Sequence, residues 1–363
     1  MSTVINTNIA ALSAQRALTG TSGQLVTSLQ RLTSGLRINS SKDDAAGLAI
    51  AERLTTQVRG YTQAIRNAGD GISVAQTAEG GLDSITTSLQ RMRELAVQSA
   101  NFTNTSSDRA AIDQEASQLK DEIQRVATQT RFNGLALLDG SFSGATFQVG
   151  ANVGETIQVT NIADTRTNVV GRYFDESIAF VSGASKVVTV NGTALPALSP
   201  NPTSLVDTVN AINALGVQGL FAYVDPNNLS NIGVSYYGTG SVTVTGVAAS
   251  TVTLDATDSK YLSSVDLTTV SGANKAILSI DSALALVSGS RAKLGATMNR
   301  FEQTISNLRI TTENQTASRS RIQDADFATE TAALTRAQIL QQSGMAILAQ
   351  ANAVPQNVLT LLR

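Results

Sequence analysis

The chain has 363 residues, 42% hydrophobic and 15% charged, with nine Phe, six Tyr and no Trp, Cys or His. Without Cys there is no disulfide, thiolate nucleophile or cysteine zinc site, and without His neither a Ser-His-Asp triad nor an HExxH metalloprotease can form. A net charge of -2 offers no basic field to a phosphate backbone, so nucleic acid is not an expected partner, and no cofactor or metal is expected either.

The N-terminus, MSTVINTNIAALSAQRALTG, has no basic segment followed by an apolar run, so a cleaved signal peptide is not expected. No stretch approaches the roughly 20 consecutive apolar residues of a bilayer span, and membrane insertion is not expected.

In chain order, the first pattern is a short heptad seam of Leu25, Leu29, Leu32 and Leu36. Two longer runs follow: Val58, Tyr61, Ile65, Ala68, Ile72 and Ala75, then Ala78, Leu82, Ile85, Leu89, Met92 and Ala96. The consecutive threes at 72, 75 and 78 predict a local change of supercoil phase. A helix over residues 44–100 would be roughly 80 Å long at 1.5 Å per residue. Ser41 to Asp44 and Thr105 to Asp108 both fit the Ser/Thr-x-x-acid pattern of a capping box ahead of a periodic run.

Ile112, Ala116, Leu119, Ile123 and Val126 make a third seam. Beyond it, RFNGLALLDGSFSGATFQVGANVGETIQV breaks into short segments at Asn-Gly, Asp-Gly and Gly-Ala-Asn, which predicts β-hairpins packed down by Phe132, Phe142 and Phe147. Four of the five prolines (Pro196, Pro200, Pro202 and Pro226) then fall in one block, and from Glu176 to Ser271 the only cations are Lys186 and Lys260. Val and Thr alternate through that block, which predicts a small β-rich insertion. A carboxylate pair there, Asp255 and Asp258, lacks the surrounding Tyr or Arg that an enzyme would need, and the chain reads as a non-enzyme.

Helical spacing resumes at Ile277 and passes through Ile280, Leu284, Val287, Arg291, Leu294, Met298, Phe301, Ile305 and Leu308. The last seam is Ala333, Ala337, Leu340, Gly344, Ile347, Ala351, Val354, Val358 and Leu361. Beside it runs a second stripe of Leu334, Met345, Leu348, Leu359 and Leu362, and no charge separates Arg336 from Arg363. A helix with two apolar stripes needs more than one partner, so the terminal segments are expected to be unsatisfied in a monomer and to order by packing on copies of themselves. Head-to-tail contact that closes no ring gives an open helical filament.

Longer words of the sequence resemble one family, bacterial flagellin. They are INTNIAAL (5–12), RLTSGLRINSSKDDAAGLAIAERL (31–54), GDGISVAQTAEGGL (69–82), LQRMRELAVQSAN (89–101), RFNGLALLDG (131–140) and QVGANVGETI (148–157). At the other end stand RAKLGATMNRFE (291–302), ENQTASRSRIQDADFATE (313–330) and MAILAQANAVPQNVLTLLR (345–363).

The fold class expected from pattern and resemblance is mainly α with β insertions. Its parts are a long antiparallel coiled-coil or helical-bundle rod from the N- and C-terminal arms, β-hairpins on its flank and an inserted small β-rich outer domain. The expected domains are 1–44 with 320–363 as a filament core disordered in the monomer, 45–175 with 271–319 as the helical rod, and 176–270 as a variable exposed domain.

The resemblance further implies a secreted, extracellular subunit of the flagellar filament that serves swimming motility and leaves the cell unfolded through the flagellar export channel. Implied partners are copies of the chain, the hook-filament junction proteins, the filament cap, an export chaperone at the C-terminal helix and the host innate immune receptor TLR5. The receptor surface implied by the match at QRMRELAVQ is Gln90, Arg91, Glu94, Leu95 and Gln98, with Glu115 on the next helix; Arg91 and Leu95 are expected beside the seam, within a partner's reach. For self-assembly the expected seam residues are Leu25, Leu29, Leu32, Leu36, Leu340, Ile347, Ala351, Val354, Val358 and Leu361. A hook-filament junction protein, or a secreted coiled-coil adhesin with a ligand-binding β domain, is the alternative.

Overall fold

The computed structural model describes residues 7–159, 162–180, 187–190, 193–194, 204–217, 219–225, 228–237, 242–245, 252–254 and 259–361. The chain divides into two compact units, one of Met1–Arg66, Gly150–Glu155 and Ile305–Arg363, the other of Asn67–Val149 and Thr156–Thr304. Helices dominate: α1 (Ile9–Ser34), α2 (Ala45–Ala100), α3 (Ser106–Gln129), α4 (Leu205–Ala214), α5 (Val270–Gln323) and α6 (Phe327–Leu361). The expected class, mainly α with N- and C-terminal helices and a β-containing insertion, is what the chain adopts.

The long helix α2 has 56 residues, about 84 Å at 1.5 Å per residue. Its cap is Asp44, whose Oδ1 accepts from the Gly47 amide at 2.8 Å, and not Ser41 as the spacing suggested. Asp43 is committed elsewhere, since its Oδ2 receives the Asn39 and Ser40 amides and holds the preceding turn. At α3 the expected capping box does form, between Thr105 and Asp108.

In the second unit α2 and α5 run antiparallel, as Arg291 to Asp83 (3.1 Å) and Arg93 to Asp281 (2.7 Å) show. The buried row of α2 is Ala68, Gly71, Ala75, Ala78, Leu82, Ile85, Leu89, Met92, Ala96 and Ser99, alternating threes and fours without a break. The expected change of phase is therefore absent. Ile72 lies at the edge, and Gly71 takes the seam position because Phe301 fills the space a side chain would need: a Cβ there would come 2.6 Å from Phe301 Cζ.

On α5 the deepest row is Ala276, Ile280, Ala283, Val287, Ser290, Leu294, Thr297 and Phe301. Ile277, Leu284, Arg291 and Met298 flank it, half-buried. Small residues at alternate positions let the helices approach, and Arg291 at the edge keeps its charge beside Glu79 and Asp83. One window of α5 reaches a mean hydropathy of 1.2, apolar enough by composition to cross a membrane. α3 folds back on α2, with Arg109 Nε donating to Ser99 O at 2.9 Å and Ile112, Ala116, Ile123 and Val126 buried.

Two hairpins follow. β1 (Arg131–Phe132) and β2 (Leu135–Ala136) are joined by Asn133 and Gly134 at φ +48° and +81°, the left-handed pair that a two-residue hairpin turn requires. β3 (Ala145–Gln148) pairs with β4 (Thr156–Val159), and Phe147 meets Phe301 edge-on at 5.7 Å.

Within the insertion lie β5 (Tyr173–Ala179), β6 (Val187–Val190), β7 (Thr193–Ala194), β8 (Leu220–Val224), β9 (Asn231–Tyr236), β10 (Val242–Thr245), β11 (Val252–Leu254) and β12 (Ser259–Lys260). They form two four-stranded antiparallel sheets, β12-β5-β9-β8 and β11-β10-β6-β7. α4, which the Val-Thr alternation did not announce, is capped by Ser204 Oγ on the Asp207 amide and buries Val209 and Ile212 among Phe174, Ile178, Ile232 and Val234.

The other face of the first sheet is polar and tied to α5. Asp175 accepts from Tyr223 Oη (2.9 Å), Ser235 Oγ (2.7 Å) and Lys275 Nζ (2.8 Å), and Lys275 also lies 4.2 Å from the Tyr223 ring centre. Burial and the neighbouring Asp175 carboxylate raise the Tyr223 phenol above its ordinary pKa.

Two glycines on α2 separated by Asp70 give opposite expectations. Gly71→Ala should destabilise the chain by about 1–3 kcal/mol in urea unfolding, because Phe301 is wholly buried and must move. Gly69→Ala, with open space at its Cβ, should stabilise by up to about 1 kcal/mol.

Candidate self-assembly interface

In the first unit α1 and α6 lie antiparallel. Four contacts set their register: the Leu36–Asp324 bridge, Arg31 Nη1 to Glu330 Oε2 at 3.8 Å, Leu18 against Gly344, and Asn8 Nδ2 donating to Ala351 O at 2.7 Å. Gly344 is closely covered by Leu18: a Cβ there would come 2.9 Å from Leu18 Cδ2, so the leucine would have to shift. The inward row of α1 is Ala11, Ala14, Leu18, Thr21, Leu25, Ser28 and Leu32. That of α6 is Glu330, Leu334, Ala337, Gln341, Gly344, Leu348 and Ala351. Both keep heptad spacing, yet most of their members are small or polar.

Several expected seam residues stand differently. Leu36 is not on α1, because Gly35 at φ +71° ends the helix and returns its amide to Arg31 O. Leu25 and Leu32 do face α6, whereas Leu29 is 43% exposed. On α6, Ala351 faces α1, but Leu340 and Ile347 point to solvent at 49% and 58% exposure; the helix instead turns Leu334 and Leu348, of the second stripe, toward α1. The Leu18–Gly344 fit selects that rotation. Val354 and Val358 lie on α6 with Leu361, but their side chains, like residue Leu362, fall outside the described residues; so do Asp255 and Asp258.

The outward faces consequently carry exposed apolar side chains among Ser, Thr and Gln. Ile9, Leu12, Val26 and Leu29 on α1, with Ile339, Leu340, Met345 and Ile347 on α6, all remain exposed. Shallow grooves lie beside them, one at Leu12, Gln15, Arg16 and Thr19, another at Thr331, Thr335, Arg336, Ile339 and Leu340. Inside the pair, Arg31 Nε is enclosed with no hydrogen-bond partner among the described residues. An unmade buried hydrogen bond costs about 1–3 kcal/mol, so the pairing face is imperfect as well as small.

A second surface lies on the other unit. Gln90, Glu94 and Gln98 are exposed along one ridge of α2 and share a groove with Arg93 and Val97. Arg91 is clasped to α3: its Nε and Nη2 both donate to Glu115 Oε1, at 2.9 and 2.8 Å, while Nη1 donates to Glu94 Oε2 at 2.9 Å. These hydrogen bonds, to Glu94 first and Glu115 next, raise the guanidinium pKa and keep it charged. On the opposite flank Arg93 is clasped to Asp281 of α5. Leu95 is the exception, only 2% exposed, so the expectation that a partner could reach it is corrected; it packs inward beside Met92 and Ala96 because α3 covers that side of α2. Val97, half exposed and in the groove, was not singled out, since a lone apolar residue off the heptad carries no distinguishing pattern.

Comparison with known proteins bears on what these surfaces are. Residues 5–143 match the bacterial flagellin N-terminal helical region and residues 277–362 the bacterial flagellin C-terminal helical region. The chain is 41% identical over 383 residues to Flagellin D of Vibrio cholerae serotype O1, covering all of both chains. The chain belongs to the bacterial flagellin family.

Flagellin A of Vibrio anguillarum is also 41% identical, over 388 residues and the whole of both chains. Among solved structures, FliC from Burkholderia pseudomallei is similar at 29% identity and a TM-score of 0.40, covering 63% of this chain and 99% of that one. A flagellar hook-associated protein from Vibrio parahaemolyticus is similar at 14% identity and a TM-score of 0.46, covering 78% and 100%. As a flagellin, the chain is a structural subunit of the flagellar filament, an extracellular polymer that serves motility. The family is one of structural proteins.

Acid should loosen the helix starts of this flagellin. Asp326 opens α6 by accepting from the Ala328 amide at 2.9 Å, and its hydrogen bonds, that from the Thr329 hydroxyl foremost, hold its carboxyl below the ordinary value. Asp108, in the capping box of α3, is lowered by Thr105, and Asp43, in the turn ahead of α2, by the Ser40 and Asn39 amides. A carboxyl depressed in the folded state contributes stability above the unfolded pKa and loses it as pH falls through the folded value. Helicity by circular dichroism should therefore hold steady from neutral pH to about 5 and fall below about 4.

Proposed function

We propose that the outward apolar faces of the α1–α6 pair are the surfaces through which copies of this flagellin join. The single observation that carries the reading is exposed apolar surface: among the described residues, Ile9, Leu12, Val26, Leu29, Ile339, Leu340, Met345 and Ile347 are exposed on two adjacent helices. Fully burying such a side chain stabilises by about 1.5–3 kcal/mol, and several per subunit, repeated along a filament, suffice to drive polymerisation. Before assembly the terminal helices lack these contacts, so they pass between ordered and disordered states in the free chain, and the chain travels unfolded through the flagellar export channel. An export chaperone covers the apolar face of α6 in the cytoplasm, and the hook-filament junction proteins and the filament cap bind the same kind of face at the two ends of the polymer.

The double variant Leu340→Asp, Ile347→Asp should raise the critical concentration for polymerisation more than about tenfold, since charges at a buried interface are strongly unfavourable. Leu229→Asp, at a residue 77% exposed in the insertion, should polymerise like the parent. Sedimentation of the three proteins decides it, and equal polymerisation by the double variant would overturn the reading.

The ridge of Gln90, Glu94 and Gln98, framed by the Arg91–Glu115 clasp, supports a second reading: host TLR5 binds the free subunit there. Arg91→Asp with Gln98→Ala should lower receptor signalling by about tenfold or more while the chain stays folded by circular dichroism, because the ties lost at Arg91 are half-exposed surface ion pairs worth about 1 kcal/mol or less each. Leu95 is unsuited to that assay, as truncating a buried Leu costs about 2–5 kcal/mol of fold stability. Unchanged signalling by a folded double variant would remove this surface from consideration.

A further inference from the structure

At the base of the insertion, within the second unit, a cleft of about 580 Å³ opens between the start of β5, the end of β9, Tyr261 and α5. Its volume falls in the range of small-ligand sites. Tyr237 and Tyr261 line it together with Arg172, and Val169 and Leu286 form an apolar wall, both still partly exposed. The Arg172 guanidinium lies 5.3 Å from the Phe174 ring centre and has no carboxylate partner among the described residues. The other charged lining residue, Asp164, is held by Arg166 at 2.6 Å, so Arg172 supplies the uncompensated charge of the cleft.

The floor is fixed in advance. Ser279 Oγ donates to Gly171 O at 2.7 Å, Ser282 Oγ donates to Arg172 O at 3.0 Å, and the Leu262 amide donates to Val170 O at 3.1 Å. Gly171 itself sits at φ +73° with Ser279 Oγ 2.6 Å from where a Cβ would be, so the turn that presents Arg172 admits no larger residue. A binding group mounted on backbone that is already bonded to a helix loses little freedom when it engages a ligand.

We propose that this cleft binds an acidic saccharide, a pyranose ring carrying a carboxylate. Arg172 takes the carboxylate through paired N–H donors, the tyrosine faces take the apolar edge of the ring, and the Tyr237 and Tyr261 hydroxyls with Asp164 meet the ring hydroxyls. A single free cation is too little for a polyphosphate or nucleic acid, and a carboxylate already committed to Arg166 is a poor metal ligand. The mouth is open along the surface, which admits the end or a branch of a longer glycan.

Saturation-transfer NMR on the full chain, with 3′-sialyllactose, trigalacturonic acid and neutral lactose as probes, tests the proposal. At least one acidic probe should receive saturation, and lactose should receive markedly less. Arg172→Ala and Tyr261→Ala should each cut the signal about tenfold, with Arg172→Lys retaining part of it because a point charge replaces a two-pronged donor. Sialyllactose alone would point to animal-type glycans, trigalacturonate alone to uronic-acid polysaccharides, and either outcome supports the site. No transfer to either acidic probe at about 10 mM, where even a millimolar site is nearly full, would overturn it. So would an Arg172→Ala protein, folded by circular dichroism, that binds as the parent does, or lactose binding as well as the acidic probes.

Discussion

The constraint on which the rest depends is the fit of Leu18 onto Gly344. It sets the rotation of α6 against α1, and with it which apolar stripe is spent within the subunit and which is left to water. The rotation chosen sets Leu18, Leu25, Leu32, Leu334 and Leu348 among Ala11, Ala14, Thr21, Ser28, Ala337 and Gln341, so that large apolar side chains make up less than half of the internal contact. Leu340 and Ile347 are left outside. One partner helix cannot bury both stripes of α6, and on the proposed reading the free energy still available is realised between subunits rather than within one.

The second unit is built on the opposite plan. Its seam holds Leu82, Ile85, Leu89 and Met92 from α2 against Val287, Leu294 and Phe301 from α5, all fully or almost fully buried. The insertion is attached through bonds to backbone: Ser99 Oγ donates to Leu267 O at 2.6 Å, Asp113 accepts the Leu267 amide at 2.9 Å, and Lys120 donates to Val265 O at 2.8 Å. Because side chains of α2 and α3 grip main chain, the anchoring does not depend on which side chains the incoming segment carries. Lys275 adds a charged tie from α5 to Asp175 on the sheet, with both partners mostly enclosed.

Much of this was legible in the sequence where apolar residues recur at three and four. The extent of α2, the capping box at Thr105, the hairpin at Asn133–Gly134 and the mainly helical class all followed from local chemistry. What escaped notice has physical reasons. Gly71 carries no side chain, so a hydrophobic pattern skips it and reads a phase change where the helix has none. α4 is short and lies in a block whose Val and Thr alternation reads as strand. The stripe of α6 that faces α1 could not be chosen from α6 alone, since both stripes keep heptad spacing and only the partner's Leu18 discriminates. On α2, Gln90, Glu94 and Gln98 were supplied by the family match and lie exposed, whereas Leu95, which spacing put within reach beside the seam, is enclosed by α3, a neighbour that single-helix spacing does not contain.

The most direct test of the central claim is amide hydrogen exchange on the full chain, compared between the free subunit and the assembled filament. Amides of α1 and α6 should exchange rapidly in the free subunit and become strongly protected in the filament, while those of α2 from Ala75 to Ala96 stay protected in both. Equal, strong protection of α1 and α6 in the free subunit would show that the terminal pair is satisfied on its own, and would contradict the account.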